Sequence, residues 1–181
     1  YFDNLSGIAN EIYNCFDKDW AEKIFTEILD AKNITGIKGF ASNLASGEKA
    51  DENSKKRAKE IFLKTVEPEV LDTIPEDEKI NHITEVASNI EIDLGDVDAA
   101  NTIYDLAEKN AKTSSDFLAI GYCFVHSDSK DRVRSYFDKA KDKAATGQEL
   151  FEVGLEYNNQ LEDMKTAKDI CTEALARFKA N

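Results

Sequence analysis

Residues 117–140 read FLAIGYCFVHSDSKDRVRSYFDKA, and the spacing of their apolar side chains decides the fold class. Phe117, Ile120, Gly121 and Phe124 recur at intervals of three, four and seven, which places them on one face of a helix. Gly121 leaves room on that face for a neighbouring backbone. A polar break at Ser127-Asp128-Ser129-Lys130 follows, and Val133, Phe137 and Ala140 then form a second stripe. The pattern predicts a helical hairpin whose two apolar faces cover one another.

The same unit recurs in both directions. Leu150, Val153, Gly154 and Tyr157 are followed by Ala167, Cys171 and Ala174. Ile83, Val86, Ala87 and Ile90 lead through Gly95-Asp96-Val97-Asp98 to Ala100, Tyr104 and Ala107. Ile37, Phe40, Ala41 and Leu44 match Ala58 and Phe62, while Leu5, Ile8, Ala9 and Ile12 match Ala21, Phe25 and Ile28. From the small residue of each first helix (Ala9, Ala41, Ala87, Gly121, Gly154) to the residue opening the second (Ala21, Ala58, Ala100, Val133, Ala167), the separations are 12, 17, 13, 12 and 13. The outlier falls at the polar turn Ser46–Ser54, where extra length costs a fold little. Repeats starting at 5, 37, 83, 117 and 150 are spaced by 32, 46, 34 and 33, and the long interval spans 67–79 with both prolines. One all-α domain of five hairpins is expected, over about 3–33, 35–67, 79–111, 115–145 and 148–180, with an insertion at 68–78.

This order of residues resembles the tetratricopeptide (TPR) signature W-x2-L-G-x2-Y followed by A-x3-F, which repeats every 34 residues or so. The resemblance implies an α-α superhelix, or solenoid, acting as a non-catalytic scaffold that binds a peptide or partner protein in a concave groove lined by the first helices. Carried over position by position, the groove sites are Ser6, Asn10 and Tyr13; Lys38 and Ser42; Thr84, Ser88 and Glu91; Leu118 and Tyr122; and Phe151, Leu155 and Asn158. Relatives that grip carboxylate tails use Lys, Asn and Arg on successive first helices. Here Asn10 is followed by Ser42 and no Arg joins the set, so that activity is not expected. Instead Leu118, Tyr122, Phe151 and Leu155 form either an apolar patch for a hydrophobic anchor or packing between repeats. Ala100-x2-Ile103-Tyr104-x2-Ala107 also approaches the Sel1-like pattern, which leaves a Sel1-like adaptor as the alternative. Repeat lengths near 33 and scarce glycine favour the tetratricopeptide choice.

Composition agrees with a helical globular protein: 41% hydrophobic and 33% charged residues, with 8 glycines and 2 prolines. No apolar run approaches the roughly 18 residues of a membrane span, and no leader pattern is visible, so a cytoplasmic protein is expected. The start at Tyr1 leaves room for a removed leader. Cys15, Cys123 and Cys171 are odd in number and far apart, which predicts reduced, buried thiols. Trp20 reads as a core or edge filler, and His82, near Glu78 and Glu85, as an exposed hydrogen-bonding side chain rather than a metal ligand.

Net charge is −13, and between Glu67 and Asp98 eleven acids face one base, Lys79. Such a segment repels nucleic acid and anionic lipid and suits a partner with a basic surface, or it only solvates the chain. The basic run Lys55–Lys64 has no interleaved aromatics on its exposed side, so it is not read as a nucleic-acid patch. Asp93, Asp96 and Asp98 fail the EF-hand spacing and fit a tight turn at Gly95-Asp96, with Asp96 or Asp98 as the next helix cap. No nucleophile motif, phosphate loop, dinucleotide fingerprint or HExxH is present, so no cofactor, metal or catalysis is expected. A helical enzyme or metal-binding bundle is the weakest of the readings.

Overall fold

The computed structural model describes residues 20, 23–24, 26–27, 34–47, 50–126 and 129–180. The proposed groove positions Ser6, Asn10 and Tyr13, and Cys15, lie outside the described residues. Among the described residues every regular element is a helix: α1 (Ile34–Ser46), α2 (Glu52–Lys64), α3 (Pro68–Leu71), α4 (Glu76–Leu94), α5 (Val97–Asn110), α6 (Ser114–Tyr122), α7 (Lys130–Lys143), α8 (Gly147–Leu161) and α9 (Met164–Ala180). The described part of the chain is therefore all-α. Two compact units are formed, one from Tyr1–Lys79 with Glu85–Ile103 and the other from Ile80–Thr84 with Tyr104–Asn181.

In the first unit α1 packs on α2. Ile37, Phe40, Ala41 and Leu44 are buried from one helix, and Ala58, Ile61 and Phe62 from the other. Asp51 caps α2 by accepting the Ser54 N–H at 2.7 Å. Pro68 opens the single helical turn α3, where its missing N–H costs nothing, and Leu71 is buried, so the insertion is folded rather than loose.

In the second unit α6 packs on α7, α8 packs on α9, and α8 also touches α6 and α7. Two capping boxes set where the first helices begin. Thr113 Oγ1 accepts the Asp116 N–H and Asp116 returns the bond to the Thr113 N–H; Thr146 and Glu149 do the same 33 residues later. The core runs through rings. Tyr104 meets Phe124 edge-on at 4.6 Å, Phe124 stacks on Tyr136 at 5.7 Å, and the Arg132 guanidinium covers Phe124 at 3.8 Å. Phe137 lies between Tyr122 and Tyr157 at 6.1 and 6.0 Å and is fully buried.

One corner is built twice. Gly95 ends α4 in the left-handed region (φ 68°) and Glu162 ends α8 in the same conformation (φ 56°). The next N–H, of Asp96 or Asp163, returns to the carbonyl of Ile90 or Tyr157. Each aspartate then caps the following helix, through the Ala99 N–H at 3.0 Å or the Thr166 N–H at 3.1 Å. Each also pairs with a base on another helix, Lys59 at 2.6 Å and Arg134 at 2.7 Å. The turn expected at Gly95-Asp96 is thus present, with Asp96 as the cap.

The Arg134 hydrogen bond, with the Thr166 N–H, holds the Asp163 carboxyl down at about 2 from its ordinary 3.8. A carboxyl whose folded value is the lower one stabilises the fold above its unfolded value, and that contribution is lost as the pH falls from about 4 toward 2. Thermal melts should therefore show wild type losing more of its melting temperature between about pH 5 and 2 than Asp163→Asn, with the two converging at the acid end.

Several expectations are corrected. His82 and Thr84 are buried, 7% and 5% exposed, because α4 buries Ile80, Ile83, Val86, Ala87 and Ile90 as well and so hides more than one stripe. Thr84 satisfies its hydroxyl by donating to the Ile80 carbonyl at 3.0 Å, which removes it from any exposed groove. Cys123 and Cys171 carry no disulfide but are half-buried rather than buried. Trp20 is 53% exposed, which leaves the edge position of the core-or-edge expectation. The helix of Phe117 ends at Tyr122; residues 123–125 wind on with N–H bonds to the third preceding carbonyl, and Phe124 reaches the core from that tightened turn.

Candidate binding groove

The second unit holds an open groove of about 420 Å³ lined by Asn81, Ser115, Leu118, Ala119, Tyr122, Glu152, Leu155 and Glu156. Two helices supply most of it. Ser115, Leu118, Ala119 and Tyr122 fall at helical spacing on one face of α6, and Glu152, Leu155 and Glu156 on one face of α8. Leu118, 7% exposed, is the floor, while Tyr122 and Leu155 stand 42% and 41% exposed as the walls.

The wall is held by the core beneath it. A Cβ built at Gly121 would sit 2.7 Å from the Phe137 ring, so only glycine lets Phe137 approach this closely. Phe137 then supports the Tyr122 ring edge-on. Burial, followed by the neighbouring Glu156 carboxylate, pushes the Tyr122 phenol up to about 12. The hydroxyl thus stays protonated at neutral pH, beside the Glu156 carboxylate.

Of the residues predicted for a groove, the structure brings together Leu118, Tyr122 and Leu155. Phe151 lies one turn before Leu155 on α8 and is 39% exposed, outside the lining. Asn158 is exposed one turn beyond and donates to Asn159 at 3.3 Å. Lys38, Ser42 and Ser88 belong to the first unit. Lys38 pairs there with Glu85, Ser42 is half-buried with its carbonyl bonded by Ser46 Oγ at 2.7 Å, and Ser88 is half-buried.

Sequence spacing missed the carboxylates Glu152 and Glu156, together with Asn81, Ser115 and Ala119. The missing signal was the adjacent row on the same helix face, one residue beyond Phe151 and Leu155. The acid-rich stretch 67–98 contributes no carboxylate to this groove. Charge instead divides between helices. α8 carries Glu149, Glu152 and Glu156 and α6 carries Asp116, and neither has a Lys or Arg. By contrast α7 has Lys130, Arg132, Arg134, Lys139, Lys141 and Lys143 against Asp131, Asp138 and Asp142.

Among the described residues no cluster of His, Cys, Asp and Glu could hold a metal, and no helix is long and apolar enough to cross a membrane. No family model matches this chain, and no curated protein or solved structure matches it significantly.

Proposed function

We propose that this chain is a non-catalytic binding protein made of stacked TPR-like hairpins, and that the α6–α8 groove receives an apolar side chain from a peptide segment of a partner protein. The observation that carries the reading is the meeting of Leu118, Tyr122 and Leu155 in one open groove, where apolar surface stays in contact with water. Filling it would stabilise a complex by about 25 cal/mol for each Å² of apolar surface removed from water. Packing of α8 against both α6 and α7 supports the stacked arrangement, since each hairpin leaves an apolar side for the next.

Peptides selected by display on the intact chain test this directly. The Tyr122→Ser, Leu155→Ser double variant should still melt cooperatively, at a temperature lowered by several degrees, because the two side chains are 42% and 41% exposed but Tyr122 also covers the Phe137 ring. Affinity for the selected peptides should fall at least roughly ten-fold. Equal affinity in the double variant, or no selected peptide at all, would reject the reading.

A further inference from the structure

We infer that the groove's occupant is a basic amphipathic segment of a partner protein, in which a large apolar side chain is flanked by Lys or Arg about one helical turn away. This rests on the reading of the groove as a peptide site and adds the chemistry of the peptide.

The apolar floor and walls leave one side chain to be anchored between Leu118 and Leu155. On the α8 side Glu152 and Glu156 border it, four residues and therefore roughly 6 Å of helix rise apart. Among the described residues both carboxylates have only neutral hydrogen-bond partners: Gln148 reaches Glu152 at 2.8 Å and Gln160 reaches Glu156 at 3.2 Å, with the neutral Tyr122 phenol beside Glu156. Among the described residues neither is in an ion pair, although Asp138, Asp163 and Glu108 of the same unit each hold a phenol or a base. With no base on α6 or α8, nothing on these two helices answers the two negative charges. An arriving cation would meet both two carboxylates that hold no base and an apolar surface for its methylene stem. An acidic segment, a phosphate backbone or an anionic lipid surface would be repelled at the same place.

The test uses three fluorescein-labelled peptides of about 18 residues, long enough to form a helix on binding. One alternates leucine and lysine stripes at helical spacing, the second has glutamine for lysine, and the third has serine for leucine. At low salt the lysine peptide should bind the intact chain about three- to ten-fold more tightly than the glutamine peptide, as two partly exposed charge pairs allow. The margin should shrink at high salt. In the Glu152→Gln, Glu156→Gln variant the margin should fall below about two-fold while glutamine-peptide affinity is unchanged. The serine peptide should not bind.

Glutamine-peptide binding without a lysine preference, or a preference that survives in that variant, would overturn the cationic occupant and leave the groove reading standing. Failure of both leucine peptides would count against the groove itself. Sedimentation of the chain alone gives the remaining outcome, because α9 exposes Met164, Leu175 and Phe178 beside Lys165, Lys168 and Lys179. Concentration-dependent dimers abolished by Leu155→Ser would overturn the proposal in favour of a second copy as occupant.

Discussion

Phe137→Ala should cost about 3–5 kcal/mol, the range for truncating a fully buried aromatic. Phe137 is 0% exposed and joins the Tyr122 and Tyr157 rings, so its removal opens a cavity whose walls come from three helices. Collapse into that cavity is restricted. Tyr157 is held by its hydroxyl on Asp138 and by Arg134 at 5.7 Å over its ring, and Gly121 has no side chain to swing in. Domains of this size are stable by about 5–15 kcal/mol, so the second unit should melt many degrees earlier or lose its cooperative transition. Urea unfolding followed by far-UV circular dichroism measures the loss. Loss of the Tyr122 support should also weaken any peptide bound in the groove, even where the variant stays folded. A loss below about 1 kcal/mol would mean that Phe137 is not enclosed as described.

The second large effect is expected from Gly154→Val. A Cβ there would lie 2.6 Å from Cys171 Sγ, 3.3 Å from Ile170 Cγ2 and 3.4 Å from the Ala167 carbonyl oxygen. Relief from helical glycine is worth a few tenths of a kcal/mol when valine replaces it, whereas overpacking a filled interface costs about 1–3 kcal/mol. Overpacking therefore wins, and α8 must move away from α9. Cys171→Ala removes the nearest atom, so the double variant should recover part of the loss, with a coupling of about 0.5–3 kcal/mol between the two sites. Strict additivity would show that the close approach of these helices is not what limits residue 154.

Much of the fold was legible because the small residues are tied to a period. Gly121 and Gly154 stand at equivalent places, and each is where a side chain from the following helix, Phe137 or Cys171, comes within contact of the backbone. The cap at Asp96 was legible for a related reason: a glycine followed by an aspartate can end one helix and begin another. Glu162 makes the same corner without glycine, so no turn residue announced it. His82 was misplaced because a polar residue on a helix is ordinarily assigned to water, and Thr84 because the resemblance sets it on a groove face; only the breadth of burial along α4 decides otherwise. In the groove the apolar members Leu118, Tyr122 and Leu155 could be placed through the resemblance, which sets them beside the apolar stripe and not on it. Glu152 and Glu156 could not, since charged residues beside a stripe look like any solvated flank until a second helix is seen to face them.

The paired threonine–carboxylate locks at 113–116 and 146–149 bear on how such a chain could grow. Each lock is closed by residues no more than three apart, so the signal that tells a helix where to begin travels with the segment that needs it. A tandem gene copy of 33 residues cut outside the lock carries one whole lock with it. Lengthening by one hairpin then demands no newly evolved junction, only a compatible surface on the piece it joins.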